Sequence, residues 1–79
     1  MNHGIVILKR DICEQNGNVL IPKGTKGILT ADLNPLEGDG KELGMDLFSV
    51  WFEGFVPPMY NFEPYSCFGE WFDRESKVE

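Results

Sequence analysis

The sequence predicts a mainly β, all-β-class domain: five short strands closed into a small barrel, with one long charged loop and a short 3₁₀ turn. Three observations carry this. Short apolar runs, several of them alternating with polar residues, are bounded by Gly, Pro and Asn. The turn signals Asn16-Gly17 and Pro22-Lys23-Gly24 fall between such runs. No segment of eleven or more residues shows the i, i+3, i+4 apolar spacing of a long amphipathic helix.

The first strand is Ile5-Val6-Ile7-Leu8, a β-branched apolar run in which Val6, Leu8 and later Ile12 share one face if the chain bends near Arg10. Asn16-Gly17 supplies a turn that tolerates positive φ, and Val19-Leu20-Ile21 pairs back before Pro22-Lys23-Gly24 turns the chain again. Thr25 to Leu33 reads as a strand with Gly27, Leu29, Ala31 and Leu33 on one side, Gly27 marking a bend or a close backbone approach. Asn34 to Gly44 holds Pro35, Gly38, Gly40 and Gly44 among charges, so it is expected to be a flexible loop and neither strand nor helix.

Met45 to Phe52 resumes an extended pattern, with Phe48, Val50 and Phe52 opposite Met45, Leu47, Ser49 and Trp51. Both faces are apolar, so the second face needs a cover: another segment, a partner or a second copy. Gly54 ends this strand. Val56 to Phe62 forms the next, with Pro57 and Pro58 at its start and Tyr60 and Phe62 pointing inward. Tyr65 to Phe68 is read as a turn of 3₁₀ helix leading into a short last strand from Gly69 to Asp73, and residues 74 to 79 as a charged, frayed tail.

A chain of 79 residues has room for one core and one domain, spanning residues 1–79. Its net stability is expected to be only about 3–5 kcal/mol, which disfavours a deep substrate pocket. No stretch nears the roughly 20 apolar residues of a membrane span, and Ile5 to Leu8 is too short for a signal-peptide core, so no membrane contact and a cytoplasmic location are expected. Cys13 and Cys67 read first as small buried apolar residues, although adjacent first and last strands leave one disulfide open.

The formal charge of −6 argues against direct nucleic-acid binding, which needs clustered Lys and Arg. Residues 1–30 hold four basic and two acidic side chains, and residues 31–79 hold three basic and eleven acidic ones, a split of +2 and −8. All ten aromatic residues lie between Phe48 and Phe72, so the acidic half is also the aromatic half.

The strand order around Leu20-Ile21-Pro22-Lys23-Gly24-Thr25-Lys26-Gly27, the Gly-rich loop, the aromatic strand, the Pro-rich edge and the short last turn resembles the SH3-like small β-barrels of bacterial and phage proteins. The resemblance covers most of the chain and implies a fold, not an activity. It does not extend to the peptide-binding SH3 domains of signalling proteins, because Ile12 to Gly17 lacks the aromatic residues of their first loop.

Chemistry finds little footing. His3 is the only histidine, and no paired Cys/His spacing supports zinc or a nucleophilic couple, so no catalytic residue, metal or cofactor is expected. The carboxylates of Asp46, Glu53, Glu63, Glu70 and Asp73 read as solvated surface charge. Phe48, Phe52, Tyr60, Phe62 and Phe68 are assigned to the interior, which leaves Trp51, Phe55, Tyr65, Trp71 and Phe72 as rings in excess. The leading expectation is a non-enzymatic module that binds a protein partner, possibly basic, through Trp51, Phe55, Tyr65 and Trp71, with Glu53 and Glu70 at the rim. Two others stand beside it. One is a phage-type inhibitor whose acidic face occupies the nucleic-acid channel of a host defence enzyme, and the other is a homodimer joined through the outer face of Met45 to Trp51.

Overall fold

The computed structural model describes residues 3–75 as seven strands in two sheets, with two short helices and one 3₁₀ turn. The strands are β1 (Ile5–Leu8), β2 (Ile12–Cys13), β3 (Val19–Ile21), β4 (Lys26–Leu33), β5 (Leu47–Trp51), β6 (Met59–Phe62) and β7 (Phe72–Arg74). The helices are α1 (Gly38–Leu43) and α2 (Phe68–Trp71), the latter preceded by the 3₁₀ turn Tyr65–Cys67. The mainly β class expected from the alternation is therefore observed. The main sheet has five antiparallel strands in the order β6-β5-β4-β1-β7, and β2 and β3 form a separate hairpin. Strands β6 and β7 are the two edges, and among the described residues no strand pairing joins them.

One face of the main sheet carries the core. Val6 and Leu8 of β1, Leu29 of β4, Phe48 and Val50 of β5, Phe52 just beyond it and Phe72 of β7 are all buried, and Ile21 reaches the same cluster from the hairpin. Burying an aliphatic or aromatic side chain of this kind contributes about 1.5–3 kcal/mol before conformational entropy is counted. The inward placement of Tyr60 and Phe62 is observed, since both pack against this cluster. Phe72 departs from its expected place among the surplus rings. Its register opposite Leu8 carries it into the interior, where it meets Phe48, Phe52, Phe62 and Phe68.

Gly27 is a close-approach glycine. A Cβ there would lie 2.5 Å from Cγ1 of Val50 and 3.0 Å from Cε1 of Phe52, so the side chains of β5 occupy the space it leaves. Beyond Leu29 the expected alternation fails, because the register shifts between Leu29 and Ala31. Ala31 pairs with Ser49 and Leu33 with Leu47, on the face opposite Leu29, and Asp32 pairs with core residue Phe48. A bulge of this kind inverts the faces of every residue after it.

The segment expected to be an irregular loop over residues 34–44 contains α1. Asn34 Oδ1 accepts the Leu36 N–H, Asp39 lies in the first helical turn, and Gly44 ends the helix in the left-handed region with its N–H on the Gly40 carbonyl. Gly40 packs against the Leu33–Asn34 backbone too closely for any Cβ. Glycine, read from sequence as a helix breaker, is here what lets the helix sit on the chain beneath it. The last segment also differs, because α2 occupies residues expected to be strand and delays β7 to Phe72.

The expected frayed tail begins too early at residue 74. Arg74 is the last residue of β7, the Glu75 N–H bonds the Ile5 carbonyl, and Lys26 Nζ pairs with Glu75 Oε2 at 3.0 Å. The rest of that tail, residues 76–79, lies outside the described residues. Cys13 is exposed and Cys67 half-buried, and both are free thiols, which corrects the expectation of two buried cysteines for the first of them.

Candidate interaction surface

The face of the sheet turned away from the core carries a row of four apolar side chains. Met59 of β6 pairs with Trp51 of β5, Trp51 with Ile28 of β4, and Ile28 with Ile5 of β1. The row therefore crosses four strands. Three of its members remain open to solvent, Trp51 at 36% exposed, Ile5 at 39% and Met59 at 42%, and Ile28 between them is half-buried. Cross-strand neighbours stand close enough to touch, so the row is one continuous apolar strip.

Charges border the strip mostly in pairs. Lys26 meets Glu75, and Lys9 lies 3.9 Å from Asp73 on the next strand. Glu53 accepts the Trp51 indole N–H at 3.4 Å, which holds the ring at the lip of the strip. These exposed pairs contribute little to stability, about 0–1 kcal/mol each.

The six residues singled out from sequence do not form one patch. Trp51 and Glu53 belong to the outer strip. Phe55 packs edge-on against Phe52, Tyr65 against Phe48 and Phe68, and Trp71 against Phe62, all on the core side of the sheet. These three rings are half-buried and cover the ends of the core. Arg10 lies over the Trp71 ring at 4.6 Å, and Arg74 over Phe68 at the same distance. Glu70 is exposed on α2 and is not a member of the row. Ile5, Ile28 and Met59 escaped the sequence reading, although each has the opposite parity from a core neighbour: Val6, Leu29 and Tyr60.

A second feature lies at the end of β4. Asp32, Asn34, Glu37, Gly38, Asp39, Tyr65 and Arg74 line an open cleft of about 370 Å³. Arg74 Nη2 approaches Asp32 Oδ2 at 3.8 Å and donates to the Tyr65 hydroxyl at 3.4 Å. Burial, followed by a hydrogen bond to Asp32 and the repulsion of its charge, pushes the Tyr65 hydroxyl up to about 12, with Arg74 opposing. The Tyr65 N–H donates to Asp46 Oδ1 at 2.7 Å, tying the 3₁₀ turn to the approach to β5. This network links β4, β7 and the turn between them.

Among the described residues no three His, Cys, Asp or Glu side chains are grouped so as to hold a metal ion. Burial, with help from Glu70 and Asp46, raises the Cys67 thiol above its ordinary range, which keeps it protonated and weakly nucleophilic. Among the described residues no helix is long and apolar enough to cross a membrane. No protein-family model, curated protein or solved structure matches this chain.

Proposed function

We propose that this chain is a small, non-enzymatic protein-binding module whose contact surface is the strip Ile5, Ile28, Trp51 and Met59, with Glu53 at its rim. The observation that carries the reading is an apolar row running across four strands on the solvent face of a sheet whose other face already holds the core. Folding leaves such a row wet. A partner that covers it recovers the hydrophobic contribution and desolvates Trp51, a residue type that dominates interface energetics. The fold is read as an SH3-like barrel opened between β6 and β7, a reading supported by β1, β4, β5 and β6 lying in meander order, with β7 beside β1 and a 3₁₀ turn followed by α2 leading into it.

Affinity capture with the wild-type chain and with Trp51→Thr tests the proposal. Threonine keeps β propensity at an exposed strand position, so the variant folds. A protein retained by the wild type is released by the variant, with affinity reduced about 30-fold or more for a hot spot near 2 kcal/mol. Identical capture by both proteins, with both melting cooperatively, overturns the assignment of the strip.

A second reading, a basic partner held by the acidic pole, draws on the cleft, where Asp32, Glu37 and Asp39 face the single cation Arg74. Salt separates the two. Binding through the strip changes little with ionic strength because its contact is apolar and its border charges are mostly paired, whereas binding at the cleft weakens steeply as salt rises.

A further inference from the structure

The two edges of the main sheet differ in how they are protected. At β7 the strand Phe72-Asp73-Arg74 carries charges of both signs, as protected edges do. At β6 the strand Met59-Tyr60-Asn61-Phe62 carries no charge.

The β5–β6 register determines which backbone groups of β6 are free. The Phe52 N–H bonds the Pro58 carbonyl at 2.7 Å, and Tyr60 and Phe62 lie opposite Val50 and Phe48, so the pairs bonded to β5 are those at Pro58, Tyr60 and Phe62. The N–H and C=O groups of Met59 and Asn61 therefore point away from the sheet. Among the described residues nothing accepts from or donates to them. Both residues are exposed, and Met59 is also the end of the apolar strip.

We propose that this edge takes an extended segment of a partner protein as a sixth strand, about four residues long, with an apolar side chain opposite Met59 and a polar one opposite Asn61. The inference rests on the strip being the contact surface, and it names the chemistry of what binds there. Two residues two positions apart, each offering one donor and one acceptor, match the bonding repeat of an extended backbone, about 6.8 Å. Pro57 and Pro58 on one side and Pro64 on the other limit the length that can pair. The same-face neighbour of Met59 on an added strand would extend the strip toward the partner. A second copy of the chain is a poorer occupant. Four side chains at up to about two-fifths exposure offer roughly 300 Å² of apolar surface, against about 800 Å² per partner in a standard stable interface.

The test selects seven-residue peptides from a random library on the immobilised 79-residue chain and resynthesises the best binder as the probe. Asn61→Pro removes the outward N–H without removing a backbone bond to β5, and Asn61→Thr controls for the Asn61 Oδ1 that accepts from Ser49 Oγ, since it removes the same side chain while keeping that N–H. Should Asn61→Pro melt too low to assay, the chain made by chemical ligation with an N-methyl group at Asn61 takes its place.

The probe is expected to bind Asn61→Pro or the N-methyl chain at least tenfold more weakly, and Asn61→Thr within threefold of wild type. It should also slow hydrogen exchange at Met59 and Asn61. Equal binding to all variants overturns the proposal, as does an equal loss in Asn61→Thr. So does failure to select any peptide tighter than about 1 mM, or a wild-type dimer in sedimentation that Asn61→Pro dissolves. Loss of partner capture in Trp51→Thr alongside full capture by Asn61→Pro would retain the strip and reject the added strand.

Discussion

Replacing Gly27 by alanine tests how tightly β4 and β5 are packed. The added Cβ would sit 2.5 Å from Val50 Cγ1, and 3.0 Å and 3.2 Å from two carbons of the Phe52 ring. Carbon atoms rest at about 3.5–4.0 Å, so the Val50 contact must open by roughly 1 Å. Val50 and Phe52 are both fully buried, and Phe52 is wedged against Phe55, Tyr60 and Phe72. Relief therefore comes from an off-rotamer valine, at about 0.5–1.5 kcal/mol, or from spreading the strands. Overpacking of this sort costs about 1–3 kcal/mol, and alanine returns about 0.4–1 kcal/mol by restricting the unfolded chain. Taken at their midpoints these give a net loss of about 1.3 kcal/mol, and since each kcal/mol moves the melting temperature of a domain this size by about 4–8 °C, a fall of roughly 5–10 °C is expected in calorimetry. Adding Val50→Ala removes the clashing methyl, so the double variant should be less damaged than the two single effects combined, by at least about 0.5 kcal/mol. An unchanged or raised melting temperature, or strict additivity, would refute the packing argument.

Two tyrosines behave differently. The Tyr60 hydroxyl is buried without a hydrogen-bond partner, so Tyr60→Phe should stabilise the fold by up to about 1 kcal/mol; a clear fall in the urea midpoint would show that the hydroxyl is satisfied. Tyr65 is held protonated in the fold, its pKa raised from 10.0 to about 12 by burial first and then by Asp32. A raised folded-state pKa contributes stability that is complete below pH 10 and is lost as pH rises toward 12. Thermal melts across that window should show a decline in the wild type that is shallower in Tyr65→Phe, and parallel declines would contradict this.

Strand positions were legible where local chemistry is strong. Ile5–Leu8, Val19–Ile21 and the inward pair Tyr60 and Phe62 follow from apolar runs and from the turns that bound them, and Gly27 was recognisable as a place where a side chain would not fit. The face switch after Leu29 was not, because a bulge depends on how β4 meets β5 and leaves no local mark. The helix α1 was hidden by glycines, whose use there is to let Gly40 lie against Asn34. Phe72 and Trp71 are adjacent aromatics with different fates, one in the core and one stacked under Arg10, and only pairing with β1 separates them.

The contact surface divides in the same way. That Trp51 stands on the face opposite Phe48, Val50 and Phe52 is a matter of parity along one strand, so sequence alone determines it. That Ile5, Ile28 and Met59 join it in a row, while Phe55, Tyr65 and Trp71 turn to the core, is decided by register across four strands and by where α2 returns. Alternation along a strand is set by backbone geometry two residues at a time. Which strands meet, and at what offset, is set by how the whole interior closes, and no local segment encodes that.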